Sequence, residues 1–218
     1  MSGHCCHGEA ADDGHGHGHG HGHGHGHAEA DTGAQDSLFG KVDVDKAWCL
    51  NEATAGSVKT IFKPWADRLD TTQLVQSDAD EELIIHVPFT GMVKLKSLLV
   101  WGGAGPSAPS RLRIFANRDS LDFDSIGDAA PTQVVELASG LREPAEYPVR
   151  AAKFGSTRSL TLHVPENFGS EHTSVYFLAF RGEWTPPKEA PVVSVYELTP
   201  NAADHKAPDQ TLSHHPIS

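Results

Sequence analysis

The sequence has no apolar run long enough to cross a membrane, and its first residues lack the apolar core of a secretion signal. A membrane-spanning helix needs about 20 apolar residues, so a membrane-embedded protein is not expected. Cysteine is scarce as well, with only Cys5, Cys6 and Cys49. Since neither an export signal nor a spaced cysteine framework is visible, we expect a protein of a reducing compartment, the cytoplasm and also the nucleus.

Positive charge is the second property that the chain has little of. Its 17 Lys and Arg are outnumbered by 29 Asp and Glu, and the formal net charge is −12. Residues 1–36 contain no Lys or Arg at all. No run of bases is present that would attract nucleic acid or an anionic lipid surface. We therefore expect neither a nucleic-acid partner nor a membrane partner.

Residues 1–36 contain no Leu, Ile, Val, Phe, Trp or Tyr and consist mainly of Gly, His, Ala and Asp. Such a segment cannot bury enough surface to offset its ordering entropy, so it is predicted to be a disordered His/Gly-rich arm. Imidazole nitrogen and thiolate sulfur bind copper, nickel and zinc. The arm is thus a candidate metal-binding segment, although a solvated tail with incidental metal affinity explains the same composition. We expect no required cofactor. The candidate metal ligands are His4, Cys5, Cys6, His7, His15, His17, His19, His21, His23, His25 and His27.

From residue 37 onward, short runs of β-branched and alternating apolar residues are separated by Gly, Pro, Asn and Ser, which is typical of antiparallel strands. Apart from a short helix predicted around 47–53, no stretch shows helical periodicity. This pattern predicts an all-β protein, with a jelly-roll β-sandwich over 37–200 and a polar C-terminal tail over 201–218. The predicted strands are 82–87, 93–101, 111–116, 132–137, 159–164, 174–184 and 192–198, with 121–126 and 147–154 as further candidates.

The run "SLTLHV" (159–164) predicts how one of these strands is buried. Three apolar residues alternate with three polar residues, so one face of the strand is expected in the core and the other in water. The apolar residues are Leu160, Leu162 and Val164, and the polar residues are Ser159, Thr161 and His163.

Seven short stretches occur in an order that resembles the PITH domain family, a proteasome-interacting module also found C-terminal to a thioredoxin domain. They span roughly residues 38–206, and the His/Gly-rich start is similar to that of stand-alone members. The resemblance implies a jelly-roll β-sandwich akin to galactose-binding-like domains. It also implies a role as a protein-interaction module, with the 26S proteasome as the partner. The stretches are "CLNE" (49–52), "FKPW" (62–65), "SDADEEL" (77–83), "PFTGMVKLKSL" (88–98), "ENFG" (166–169), "RGEW" (181–184) and "NAADHK" (201–206).

The chain lacks the chemistry of the thioredoxin-linked members. It has no C-x-x-C motif, and residues 1–36 cannot form a thioredoxin fold. No G-x-S-x-G motif or marked triad indicates nucleophilic catalysis either. We therefore expect a protein that is not an enzyme, and we assign no catalytic residue.

Two of the shared stretches place a Trp beside charged residues, a combination enriched in interface hot spots. The alternative is that Trp65 and Trp184 close the ends of the sandwich while the charges hold a corner. Arg181 and Glu183 are expected to pair with each other or with Lys63. The candidate partner contacts, which include an acidic turn, are Phe62, Lys63, Pro64, Trp65, Asp78, Asp80, Glu81, Arg181, Glu183 and Trp184.

Two further functions stay open at this point. The first is a metal-binding adaptor that uses the arm to hold copper, nickel or zinc. The second is a β-sandwich that binds a small ligand or a carbohydrate, for which fold analogy is the only basis. A pocket at the loop ends lined by aromatic and amide side chains would favour the second.

Overall fold

The computed structural model describes residues 36–187. The metal ligands predicted in the arm, the strand predicted over 192–198 and the polar tail lie outside the described residues. Helices are short within 36–187: the longest helical segment has five residues, so no helix in this range can cross a membrane. The helical segments are α1 (Phe123–Ile126) and the 3-10 turns Phe39–Lys41, Val44–Lys46, Ser57–Ile61, Trp65–Asp67 and Ala151–Lys153.

Strands dominate this part of the chain, and every pairing between them is antiparallel. Most are short, but one of them has 19 residues. The strands are β1 (Trp48–Leu50), β2 (Val75–Gln76), β3 (Leu83–Trp101), β4 (Arg111–Ala116), β5 (Gln133–Glu136), β6 (Ala145–Pro148), β7 (Thr157–Val164), β8 (Ser174–Val175) and β9 (Phe177–Thr185).

The long strand β3 belongs to both layers of a sandwich. Its first half pairs with β1 and β7, and β4 and β5 continue that layer beyond β7. Its second half pairs with β6 and β9 in the other layer. The β7 register shifts between Pro88 and Val93, where Pro88 lacks an N–H and Gly91 lets Thr185 and Trp184 approach the backbone. The predicted all-β jelly-roll β-sandwich is confirmed, and the strands predicted at 82–87 and 93–101 are one bent strand.

The core lies between these two layers. From β3 it takes Val93, Leu95, Leu98 and Val100, which are all at most 5% exposed. Burial of such side chains stabilises the fold by about 1.5–3 kcal/mol each before entropy is counted. The core therefore depends on both halves of β3, and the bend between them fixes how the layers meet.

The prediction that one face of the strand 159–164 meets water is wrong. Thr161 and His163 are 0% and 3% exposed, and Ser159 is also buried. The reason is that residues 117–130 fold over this outer face, where Leu121 and Ile126 pack on Ile84 and Phe115. The alternation of the strand is real, but both of its faces are covered.

Two local predictions are also wrong. The helix predicted around 47–53 is strand β1, because this stretch pairs with the start of β3. The candidate strand 121–126 contains the short helix α1 instead. Asp122 caps it by accepting from the Ser125 amide at 2.9 Å, and the Ser125 hydroxyl accepts from the Asp122 amide at 3.1 Å. This reciprocal capping satisfies two backbone N–H groups at the start of α1, which favours the helix there.

Candidate functional site

One residue of the "CLNE" stretch makes several hydrogen bonds to the acidic turn at 78–82. Asn51 donates from its side chain to the Asp80 carboxylate at 2.8 Å and to the Glu82 carbonyl at 2.7 Å. Its own side-chain oxygen accepts from the Ala79 amide at 3.0 Å. Asp78 and Asp80 remain exposed. Within residues 36–187, no group of three His, Cys, Asp or Glu side chains is arranged to hold a metal ion.

Replacing Asn51 with Ala is expected to lower the free energy of unfolding by about 2–3 kcal/mol. The change removes the hydrogen bonds to the turn. It also puts Ala at a backbone φ of +66°, a left-handed conformation that Asn adopts at a lower cost than Ala. Chemical denaturation of the purified chain measures the loss.

Asn51→Gly is the matched control, because Gly loses the same hydrogen bonds without the backbone strain. The free energy of unfolding of the Gly variant should be about 1 kcal/mol higher than that of the Ala variant. Equal stability of the two variants would show that the positive φ contributes nothing, and a loss below about 0.5 kcal/mol in both would show that the turn does not depend on Asn51.

Two predicted partner contacts, Phe62 and Lys63, lie inside the domain, each 8% exposed. The Lys63 ammonium donates to the carbonyls of Asp70 at 2.7 Å and Gln73 at 3.1 Å, and the Asp70 carboxylate lies 3.4 Å away. Lys63 therefore fixes the loop that follows it. Pro64, next in the chain, is exposed.

The predicted pairing of Arg181 and Glu183 with each other or with Lys63 is wrong. Glu183 pairs with Lys94 at 3.4 Å and Lys96 at 3.3 Å, which stand on the adjacent strand β3. Arg181 pairs with Glu146 on β6 at 2.9 Å. The cause is the register of β3 between β6 and β9, which sets each charge beside a cross-strand partner rather than a sequence neighbour.

The two tryptophans occupy different environments. Trp184 is half-buried and packs against the core, and the Lys41 ammonium lies 4.1 Å from its ring centroid. Its indole stands so close to Gly91 that a Cβ there would come within 2.6 Å of the ring nitrogen. Trp184 therefore closes the sandwich at the bend of β3, as expected for a structural residue rather than for an interface contact.

Trp65 lies on the outer face of the layer formed by β6, β3 and β9. It packs on an outer cluster that contains Leu99, Trp101 and Phe177, and its ring meets Phe177 edge-on at 6.3 Å. Trp65 is only partly buried there. It thus covers part of a sheet face while leaving some of its indole in contact with solvent.

Two guanidinium groups flank this indole. The Arg68 group lies 4.3 Å and the Arg181 group 5.9 Å from the Trp65 ring. The Nε atom of each arginine is buried and has no hydrogen-bond partner among the residues that the structure describes. Phe39, 43% exposed, lines the same shallow crevice as Trp65 and Arg181. We call these four residues the Trp65 face.

The structure thus brings together one Trp and one Arg of the predicted contacts, while the acids of 78–82 and Trp184 lie outside the Trp65 face. Sequence reasoning missed Phe39 and Arg68. The position of Arg68 three residues after a Trp was a weak signal, since such a spacing suits a turn of helix. Nothing in the sequence marked Phe39, because it meets the face only through the fold.

A separate groove of about 760 Å³ opens at the bend of β3. The bend, the 155–158 turn and the end of β9 form its sides. Arg158 stands in its wall and takes part in none of the ion pairs found within 36–187. The groove is lined in part by Phe89, Met92, Lys94, Arg158, Pro186 and Pro187.

One buried histidine, His163, anchors the 117–130 segment to the sheet. His163 contacts the Glu82 carboxylate through Nε2 at 2.5 Å and Arg113 through Nδ1 at 3.3 Å. Arg113 in turn donates to the Ala129 carbonyl at 2.9 Å. Because a guanidinium only donates, Nδ1 must accept, and the proton of the neutral ring is on Nε2. Burial lowers the pKa of His163, Arg113 lowers it further, and Glu82 opposes the shift.

A second buried histidine, His86, lies beneath the same segment. It is 6% exposed and stacks on Trp48 with ring centroids 4.9 Å apart. Thr161 donates its only proton to the Arg118 carbonyl, so its oxygen accepts from His86 Nδ1 at 3.2 Å. Burial lowers the pKa of His86, and the charge of Asp119 partly opposes this.

These hydroxyl and histidine contacts do not form an accessible nucleophile. Thr161 is fully buried, and its proton is committed to a backbone carbonyl. Cys49 is buried too, and burial raises the pKa of its thiol far above the usual range, which keeps it protonated. The side chains described here are arranged for packing and anchoring.

Comparison with known proteins connects the chain to one family. The model described as "PITH domain" matches residues 28–200. The chain is 42% identical to PITH domain-containing protein 1 of Danio rerio over 178 residues, which is 81% of this chain and 84% of that protein. It is 37% identical to the Homo sapiens protein of the same name over 182 residues, which is 83% of this chain and 86% of that protein.

Solved structures give a weaker match. The chain is similar to CBM32-3 from a family 31 glycoside hydrolase of Clostridium perfringens, with 13% identity and a TM-score of 0.47. That match covers 66% of this chain and 95% of the other. The lectin domain of lectinolysin, complexed with Lewis B antigen, matches with 9% identity and a TM-score of 0.44, over 62% of this chain and 90% of the other.

Proposed function

Because the chain belongs to the PITH domain family, we propose that it is a non-enzymatic protein-interaction module that docks on a large assembly through the Trp65 face. The assembly that the family resemblance implies is the 26S proteasome, in the cytoplasm and nucleus. This role needs no cofactor and involves neither nucleic acid nor a membrane.

The observation that carries the proposal is the pair of guanidinium groups around one indole. Trp and Arg are the residues most enriched in interface hot spots, where an aromatic ring fills a pocket and Arg adds directional hydrogen bonds. Arg68 and Arg181 each keep a buried Nε–H without a partner in the described range. Because each Nε–H is shielded from solvent, a partner would meet the other N–H groups of Arg68 and Arg181, which are the directional donors of the face.

The chemistry of the face indicates the partner segment. Arg68 belongs to none of the ion pairs formed between residues 36 and 187. A carboxylate of the partner can therefore meet Arg68 without displacing an internal acid, while Phe39 and Trp65 offer apolar contact. We expect a proteasomal segment that combines Asp or Glu with an apolar side chain.

The other predicted contacts have less support as a surface. Trp184, Phe62 and Lys63 are engaged in packing or in fixing a loop. The metal-binding adaptor remains a separate proposal, because its ligands lie in the arm. Metal binding by the arm would add a second function rather than replace docking by the domain.

Affinity capture from native extract tests the proposal. Full-length protein is used in buffers containing a chelator, so that the histidines of the arm recruit nothing through metal, and proteasome subunits are quantified by mass spectrometry. Arg68→Glu is expected to lower their recovery at least tenfold, which corresponds to about 1.4 kcal/mol, while the melting temperature stays near that of the unchanged chain.

Arg118→Glu is the matched control, because Arg118 is an exposed arginine on the 117–130 segment over the other layer. It should recover as much proteasome as the unchanged chain. Equal loss in both variants would indicate a general charge effect and contradict docking through the Trp65 face. Capture of no proteasome subunits by the unchanged chain would overturn the choice of partner.

A further inference from the structure

We propose that residues 192–198 of this chain dock into the groove at the bend of β3 and complete the domain from outside the described residues. The inference is independent of the Trp65 face. The groove lies at the bend of β3, whereas Trp65 packs at the other end of β9, against Phe177.

The position of the groove supports this occupant. Pro186 and Pro187 line its wall, so the described chain ends at the rim of the groove. Only four residues separate Pro187 from Val192, and an extended chain covers about 3.3 Å per residue. Residues 192–198 are therefore tethered within reach of the groove, at an effective concentration on the order of millimolar.

The family match supports it as well. The PITH domain model extends to residue 200, which is 13 residues beyond Pro187. The sequence shared with the family thus includes the whole run "VVSVYEL". A run with three valines, a tyrosine and a leucine is costly to leave in water, and burial against the domain would recover that cost.

The chemistry of the groove matches the segment. Phe89, Met92 and the two prolines provide apolar contact, and the volume of about 760 Å³ is enough for several side chains. Arg158 and Lys94 add positive charge to the wall, and Lys94 already faces Glu183 at 3.4 Å. Glu197 is the one charged residue of the segment, so its charge is opposite to that of Arg158, which forms no ion pair within residues 36–187.

Hydrogen exchange of the full-length chain tests the docking. In an extended segment, Val195 and Tyr196 lie on opposite faces, so Val195→Asp combined with Tyr196→Asp disrupts docking whichever face is inserted. Amide exchange in residues 89–92 and 155–158, which form two sides of the groove, is expected to rise at least tenfold. Leu212→Asp, in the polar tail beyond the family match, is the control and should leave this exchange unchanged.

A second measurement separates docking from general loss of stability. A synthetic peptide of residues 188–200, added to the double variant, is expected to restore protection of the groove in a saturable manner, and the same peptide with both Asp substitutions is not. Unchanged exchange in the double variant, or failure of the unchanged peptide to restore protection, would overturn the proposal. If protection of the groove amides falls when the unchanged chain is diluted tenfold, the groove is occupied by a second copy of the chain. That result would also overturn the proposal.

Discussion

Gly182→Ala is expected to lower the free energy of unfolding by about 3 kcal/mol. Gly182 stands on β9 opposite Leu95, where β3 and β9 approach closely. A Cβ placed on Gly182 would lie 2.3 Å from the Lys94 carbonyl oxygen, well inside the contact distance of the two atoms. Since that oxygen belongs to the backbone of a central strand, relief requires the two strands to separate.

The loss is measured by guanidinium or urea denaturation, and it corresponds to a fall in melting temperature of roughly 6–12 °C for a chain of this size. Gly127→Ala is the matched control. Gly127 follows α1 with right-handed helical backbone angles, and a Cβ there meets nothing within 4 Å. Ala at this position should be neutral or slightly stabilising. Equal destabilisation by the two substitutions would contradict the steric explanation.

The same glycine shows what the sequence could not tell. The Arg, Glu and Trp of "RGEW" indicate an interface, because charged and aromatic residues suggest contacts. In the structure, Gly182 is required by close approach of β3, and Trp184 packs over Gly91 of "PFTGM". Neither requirement can be inferred locally, since each depends on the register of strands that are far apart in the sequence.

The fold class was predictable because strand alternation and turn residues are local signals. The joining of 82–87 and 93–101 into the single strand β3 was not predictable, because Pro and Gly residues such as Pro88 and Gly91 commonly interrupt a strand. Here the neighbouring strands on both layers hold the chain extended through the bend. The jelly-roll sandwich is confirmed, yet its central strand was predicted as two.

The Trp65 face was only half predictable. The residue types of "FKPW" and "RGEW" indicated an interface, and Trp65 and Arg181 do meet on one sheet face. The sequence could not separate them from Lys63 and Trp184, because the fold, and not the residue type, decides which side chains of a stretch turn inward. Burial decided which members of each stretch remain available to a partner.

Acidification from pH 7.5 to 5.5 is expected to destabilise the domain through His86 and His163. Both pKa values are lowered from 6.5 in the folded state, chiefly by burial. The unfolded chain therefore binds more protons than the folded chain in this range. Stability is complete above about pH 6.5, falls as the pH drops below it, and levels off only below the folded-state pKa values.

The slope of stability against pH identifies the two residues responsible. Each histidine that is protonated only in the unfolded chain contributes up to about 1.4 kcal/mol per pH unit. Denaturation curves recorded between pH 7.5 and 5.5 measure the slope. Most carboxylates titrate below this range and contribute little to it. His163→Gln is informative because an amide can still accept from Arg113 and donate to Glu82, as the neutral imidazole does, but carries no titratable proton. His163→Gln should therefore reduce the slope, and the double variant with His86→Gln should nearly abolish it. A full slope in the double variant would show that groups other than His86 and His163 control the pH response.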